Sequence, residues 1–222
     1  MKLAAFDLAK TASSPELIYN ALRDAIVRGQ IAEGQTLRQD NLAKMFNVSR
    51  IPVREALARL EAQGLVTSTR YKGVVVTSMS VTEIAEIFQF RALVEPAIIE
   101  MAVPLMSAES LQLAENYCNQ FAAETEPARW GDLNRLFHAT LCRDCQRPYY
   151  LSVMDKTNDR VERYVRAHLV LTHGMERARV EHRGIMEACL RRDAALAARL
   201  TREHIIEAGR SLIAFLDAQS EK

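Results

Sequence analysis

Residues 48–66, VSRIPVREALARLEAQGLV, constrain this 222-residue chain more than any other stretch. Val53, Ala56, Leu57 and Leu60 fall at i, i+3, i+4 and i+7, the spacing of one buried helical stripe. Ser49, Arg50, Ile51 and Arg54 project from the first turn and a half on the other side. A helix locked by one face and offering arginine at its N-terminal end is what major-groove recognition requires. Arginine captures guanine O6 and N7 with two hydrogen bonds. Ser49 suits both the cap and a phosphate contact, because a helix N-terminus favours anions. The pattern predicts a helix over about 50–63, closed by Gly64.

The flanking segments complete a small domain. Ser14-Pro15 reads as a helix start, with Ile18, Leu22 and Ile26 as its buried stripe and Gly29 as its end. A short helix over 39–46 turns Leu42 and Met45 inward, and Asn47-Val48-Ser49 makes a tight turn. The period then changes: LVTSTR and GVVVT are β-branched runs around Tyr71-Lys72-Gly73, which predicts a hairpin over 65–77 with a basic tip. The first dozen residues read as frayed. After Ser78 the helical period returns and gives six helices, over about 81–103, 107–123, 128–145, 147–171, 175–191 and 193–218. Pro104, Pro127, Pro148 and Thr172-His173-Gly174 mark breaks between them, and Trp130 reads as anchoring a helix start. The expected fold is therefore mainly α. A winged helix-turn-helix of three helices and a β-hairpin wing (1–78) precedes an all-α helical-bundle, ligand-binding domain (79–222).

Charge is distributed to match. Residues 1–79 hold 11 Lys or Arg against 7 Asp or Glu, whereas the remainder holds 18 against 21. A basic head on a mildly acidic body fits double-stranded DNA as a partner. No apolar run reaches the length that spans a membrane, and Asp7 and Lys10 interrupt the N-terminus too early for a signal peptide. A cytoplasmic protein with four reduced cysteines is expected. Cys142 and Cys145 are a poor zinc signal, since no second CxxC exists.

Three of the five histidines stand at suggestive places. His138 follows Asn134 by one turn, and His182 and His204 lie on the next helices but one and two. Imidazoles brought together from three helices of a bundle make a natural site for a divalent metal such as Zn²⁺ or Ni²⁺; a metal-free polar pocket is the alternative. His168 and His173 read as surface or loop residues. Arg91 suits either the capture of a bound anion or an ion pair with Glu95, and Arg163 and Tyr164 are further candidates for the cavity wall. No HExxH, GxSxG or P-loop pattern is present, so an enzyme is not expected. A polar cluster inside an apolar bundle argues against a purely architectural DNA-binding protein.

The segment VSRIPVREALARLEAQGLV, with LRQDNLAKMF before it and the YKG tip after it, closely resembles the N-terminal domain of the GntR family of bacterial regulators, over roughly residues 15–78. The resemblance implies that Arg50 and Arg54 contact bases and that Arg38 contacts the backbone or a base. It also implies that Gly73, beside Lys72, lets the wing tip enter the minor groove. Residues 80–218 resemble the FCD ligand domain in its shorter, six-helix form, on Phe137-His138, the EHR segment around His182, and His204. That resemblance implies a metal held by three histidines and an aspartate, which helps bind a carboxylate effector. Here Asn134 stands where the aspartate is usual, and an amide carbonyl is a neutral, weaker ligand. It further implies a homodimer, which two half-site contacts at cellular salt also favour, and a repressor released by its effector.

Overall fold

The computed structural model describes residues 14–70, 73–172 and 174–220. The chain divides between Met79 and Ser80 into two compact units. The frayed start expected before Ser14, and the wing-tip residues Tyr71 and Lys72, lie outside the described residues.

In the first unit, α1 (Ser14–Val27), α2 (Gln39–Phe46) and α3 (Arg50–Ala62) enclose one core. Ile18, Leu22 and Ile26 of α1 meet Val53, Ala56, Leu57 and Leu60 of α3 there, all essentially without solvent contact. Burying side chains of this size contributes about 1.5–3 kcal/mol each, so the stripe fixes the rotation of α3 about its axis. In α2 Leu42 is buried as expected, but Phe46 rather than Met45 completes the stripe; Met45 is only half-buried. The helix ends there because Asn47 turns left-handed (φ 53°, ψ 48°), a conformation asparagine tolerates better than most residues. Ser49 stands at the N-cap of α3 with extended backbone. Its hydroxyl accepts no bond from the helix, so the expected side-chain cap is not formed.

The wing is a hairpin of β2 (Val66–Thr69) and β3 (Gly73–Val76), with Val66 opposite Val76 and Thr69 opposite Gly73. A third strand, β1 (Thr36–Leu37), pairs antiparallel with β3 and makes the sheet order β1-β3-β2. Two residues are too few for periodicity to announce a strand. Gly73 adopts φ 80°, where a side chain is strained.

The second unit is helical. It comprises α4 (Val81–Ala102), a short 3-10 turn (Val103–Leu105), α5 (Ala108–Ala123), α6 (Pro127–Cys142), α7 (Pro148–Leu171), α8 (Gly174–Leu190) and α9 (Ala194–Ser220). Ser80 and Ser107 cap α4 and α5 by accepting from the amides of Glu83 and Ser110. Trp130 donates its indole N–H to the Glu124 carbonyl and anchors the start of α6. That helix stops three residues earlier than expected, and Gln146 (φ 53°) turns the chain toward α7. Ile99, Phe137, Ile185 and Met186 build the main core. Helices α4 and α9 pass closely: a Cβ at Gly209 would come 2.9 Å from the Phe88 side chain. No helix among the described residues is long and apolar enough to cross a membrane.

Candidate functional site

The first candidate surface is the outer side of α3. With Val53, Ala56, Leu57 and Leu60 held in the core, Ser49, Arg50, Ile51 and Arg54 are left exposed. Ile51 is 59% exposed, which packing within the unit does not explain. The guanidinium of Arg50 pairs with the Asp40 carboxylate of α2 across the turn between the two helices. Sequence reasoning missed Asp40, since its partner is ten residues away on another helix. Arg38 is exposed at the N-cap of α2. Gly73 is exposed at the wing, with open space where a Cβ would stand. Arg59 lies over the Tyr19 ring at 4.2 Å, so its role is packing against α1.

The second candidate site is inside the helical unit. His138 of α6, His182 of α8 and His204 of α9 each bring one nitrogen to within 4.8 Å of the others. The Nε2 atoms of His138 and His182 are 3.2 Å apart. Two nitrogens about 2.1 Å from one zinc ion at a tetrahedral angle lie about 3.4 Å apart, so the spacing fits shared coordination. Phe121 and Phe137 pack against the His182 ring. Burial above all, and then the nearby His204, hold His138 and His182 well below the usual histidine pKa. Both are neutral and retain a lone pair for a metal. His204 is oriented by Glu181, whose Oε2 lies 2.6 Å from Nδ1. The Nδ1 atoms of His138 and His182 are buried without a hydrogen-bond partner. These donors fit a divalent cation.

Asn134, buried one turn before His138, shares with His138 and His204 the wall of a cavity of about 20 Å³. That is room for one ion or water. A larger cavity of about 220 Å³ shares Arg91, Asn134, His138 and Val165 with it. Arg91 donates from Nε to Glu95 Oε1 at 2.6 Å, and both residues are buried. The ion-pair reading of Arg91 is therefore present, while the side chain also lines both cavities. Arg163 and Tyr164 are not on either wall; Val161, Glu162 and Val165 of the same helix are. Burial raises the Glu162 carboxyl, against the opposing Arg166.

His168 corrects the sequence reading. It is a buried residue of α7 that lines the smaller cavity, not a surface or loop residue, and burial first and His204 second push its pKa down to about 4. Gly174 makes the room for it, since a Cβ there would come 2.5 Å from Nε2. His173 lies outside the described residues. Cys142 lines the larger cavity and Cys145 is buried, and neither joins the histidine group.

Residues 16–76 match the family model of the gntR family of bacterial regulatory proteins, and residues 86–207 match the FCD domain. The chain belongs to the FCD branch of the GntR family. The gntR match spans α1 to β3, and the FCD match contains all three histidines and Asn134. The chain is similar to the HTH-type transcriptional repressor GlaR of Escherichia coli K12, at 29% identity over 85% of this chain and 90% of that protein. It is 29% identical to the gluconate operon transcriptional repressor of Bacillus subtilis, over 71% of this chain and 65% of that protein. In fold it is similar to E. coli McbR/YncC, with a TM-score of 0.78 at 19% identity, over 95% of this chain and all of that one. As a GntR–FCD protein the chain is a DNA-binding transcriptional regulator, in a family of regulators rather than enzymes.

Proposed function

We propose that the protein is a cytoplasmic repressor that binds a palindromic operator as a homodimer, and that a small carboxylate bound in the C-terminal cavity releases it. Residues 1–78 serve as the DNA-binding domain, and 79–222 as the domain for effector, metal and dimerisation. The observation that carries the reading is the two-sided α3, with Val53, Ala56, Leu57 and Leu60 in the core and Ser49, Arg50, Ile51 and Arg54 facing out. Arg50 and Arg54 take guanine edges in the major groove, and Ile51 takes an apolar contact such as a thymine methyl. Ser49 and Arg38 hold phosphates, which set register without reading sequence. Lys72 and Gly73 bring the wing tip to the minor groove. One head makes too few phosphate contacts for tight binding at cellular salt, and joining two on one duplex multiplies their affinity.

In the cavity His138, His182 and His204, with the Asn134 amide, would hold Zn²⁺ or Ni²⁺. Such an ion supplies a positive charge to which a carboxylate binds. Arg91 keeps its Nε on Glu95 and offers its remaining N–H groups to the same anion. One relative is named for a gluconate operon, and gluconate is a carboxylate. Effector binding shifts the dimer between two arrangements of its heads, of which one matches the half-site spacing. Coupling of about 1–3 kcal/mol changes operator occupancy by about 5- to 150-fold.

The test is fluorescence anisotropy of the purified protein on duplexes from upstream of its own gene, with light scattering for stoichiometry. Two chains on one duplex, with binding that survives nonspecific competitor, supports the reading. Equal affinity for every duplex, or a single chain bound, refutes it.

A further inference from the structure

Resting on the reading that α3 enters the major groove, we infer that Asp40 of α2 is itself a specificity residue. It accepts a hydrogen bond from the exocyclic amine of a cytosine within one base pair of the guanine taken by Arg50. Asp40 stands in the first turn of α2, with its side chain 55% exposed, and its Oδ1 pairs with Nε of Arg50. Among the described residues its other oxygen, Oδ2, has no partner. Both side chains border the open hollow between α2 and α3, beside Lys44 and Ser49. An acid in the first turn of a helix gains from the helix dipole. That gain does not require the side chain to reach another helix, as this one does. On a surface that meets phosphates a carboxylate is repelled by them, so it belongs where base edges, not the backbone, come opposite.

Chemistry narrows what such a group reads. An ionised carboxylate only accepts hydrogen bonds. Guanine O6 and N7 and thymine O4 are acceptors too, and repel it. The donors in the major groove are the N4 amine of cytosine and the N6 amine of adenine. Adenine carries its acceptor N7 beside that amine, whereas cytosine presents its amine without one. The ion pair supplies the placement. With Nε held by Asp40, Arg50 keeps both of its terminal nitrogens for a guanine. Asp40, tied to the same guanidinium, is carried to the adjoining base edge. One two-residue unit, drawn from both helices of the turn, thus reads acceptors with Arg50 and a donor with Asp40.

The experiment is selection of duplexes from a randomised operator library by the full chain, repeated with Arg50→Ala and with Asp40→Asn. Arg50→Ala marks the guanine, as the position whose preference it removes. The parent should select cytosine within one base pair of it. Asp40→Asn should turn that cytosine toward adenine, since an amide pairs with adenine N6 and N7, and leave the position read by Arg54 unchanged. As a second measurement, replacing that cytosine by thymine in the selected duplex should weaken the parent by about tenfold or more in anisotropy titrations, and Asp40→Ala by much less. No cytosine beside the guanine, or a consensus that Asp40→Asn leaves intact, overturns the inference while leaving the DNA-binding reading standing. Selection of no sequence by the parent overturns that reading and the inference with it. The thymine duplex needs only the parent, so a variant that fails to fold leaves the result decisive: equal affinity for the two duplexes refutes the cytosine contact.

Discussion

Glu181 and His204 are tied by a hydrogen bond, with the carboxylate Oε2 2.6 Å from the ring Nδ1. A carboxylate accepts here, so the contact fixes a ring N–H on the Glu181 side and makes Nε2 the nitrogen open to a metal. Glu181→Gln keeps the size of the side chain but no longer dictates that tautomer. Its Ni²⁺ affinity should fall by about 10- to 100-fold, the usual effect of losing such a partner. Titration calorimetry reads the loss, and circular dichroism of the metal-free protein should be unchanged. Affinity equal to the parent's would remove Glu181 from the site.

His182→Ala deletes a donor that is fully buried between Phe121 and Phe137. Elemental analysis of the purified variant should find metal reduced to background, with operator binding by the metal-free protein retained. Equal metal in the variant and the parent would refute the three-histidine site.

Arg54→Ala removes an exposed guanidinium from α3 without touching its buried stripe. Operator affinity should drop by about 1–3 kcal/mol, with discrimination lost at one base pair. Arg38→Ala should instead weaken all duplexes alike and flatten the salt dependence. Anisotropy titrations at several salt concentrations separate the two outcomes.

Asp40→Ala releases Arg50 from its exposed ion pair. Exposed pairs contribute about 0–1 kcal/mol, so the melting temperature should barely move. The base preference opposite Arg50 should relax, because the guanidinium is no longer held in one direction. Selection from a randomised operator library measures this; an unchanged consensus would show that Asp40 does not aim Arg50.

Glu95→Leu strands the buried Arg91 without its counter-charge. Unfolding in urea should show a loss of about 3–5 kcal/mol, and adding Arg91→Met should restore much of it, since a buried apolar pair costs less than a lone buried charge. Failure of the second change to recover stability would point to a different origin of the loss.

The sequence carried the parts of this molecule that repeat or that need a particular residue. The four apolar positions of α3 predict which side is locked, and all four are buried. The six later helices follow from period and from Pro127, Pro148 and Gly174 at their starts. The histidines on α6, α8 and α9 were readable as candidates because they fall on three helices of one bundle at a spacing that resembles the FCD domain, and they do meet. What was not legible depends on distant partners. Strand β1 exists only because β3 lies beside it. Glu181 is one residue from His182, yet it serves His204. His168 looked like an end-of-helix surface residue and is buried because Gly174, beyond the turn, leaves a gap for its ring. Met45 and Phe46 both suit the α2 stripe by spacing, and only packing decides between them.

The tight crossing of α4 and α9 at Gly209 gives Phe88 two exposures at once. Its ring borders the chamber that holds His138 and His204, and it also borders an outer groove formed with Ile206, Gly209 and Ile213. Among the described residues it is the one common to the linings of both spaces. A side chain at Gly209 would collide with this ring, so the bare backbone there is what lets a single aromatic wall divide the interior chamber from the outer groove.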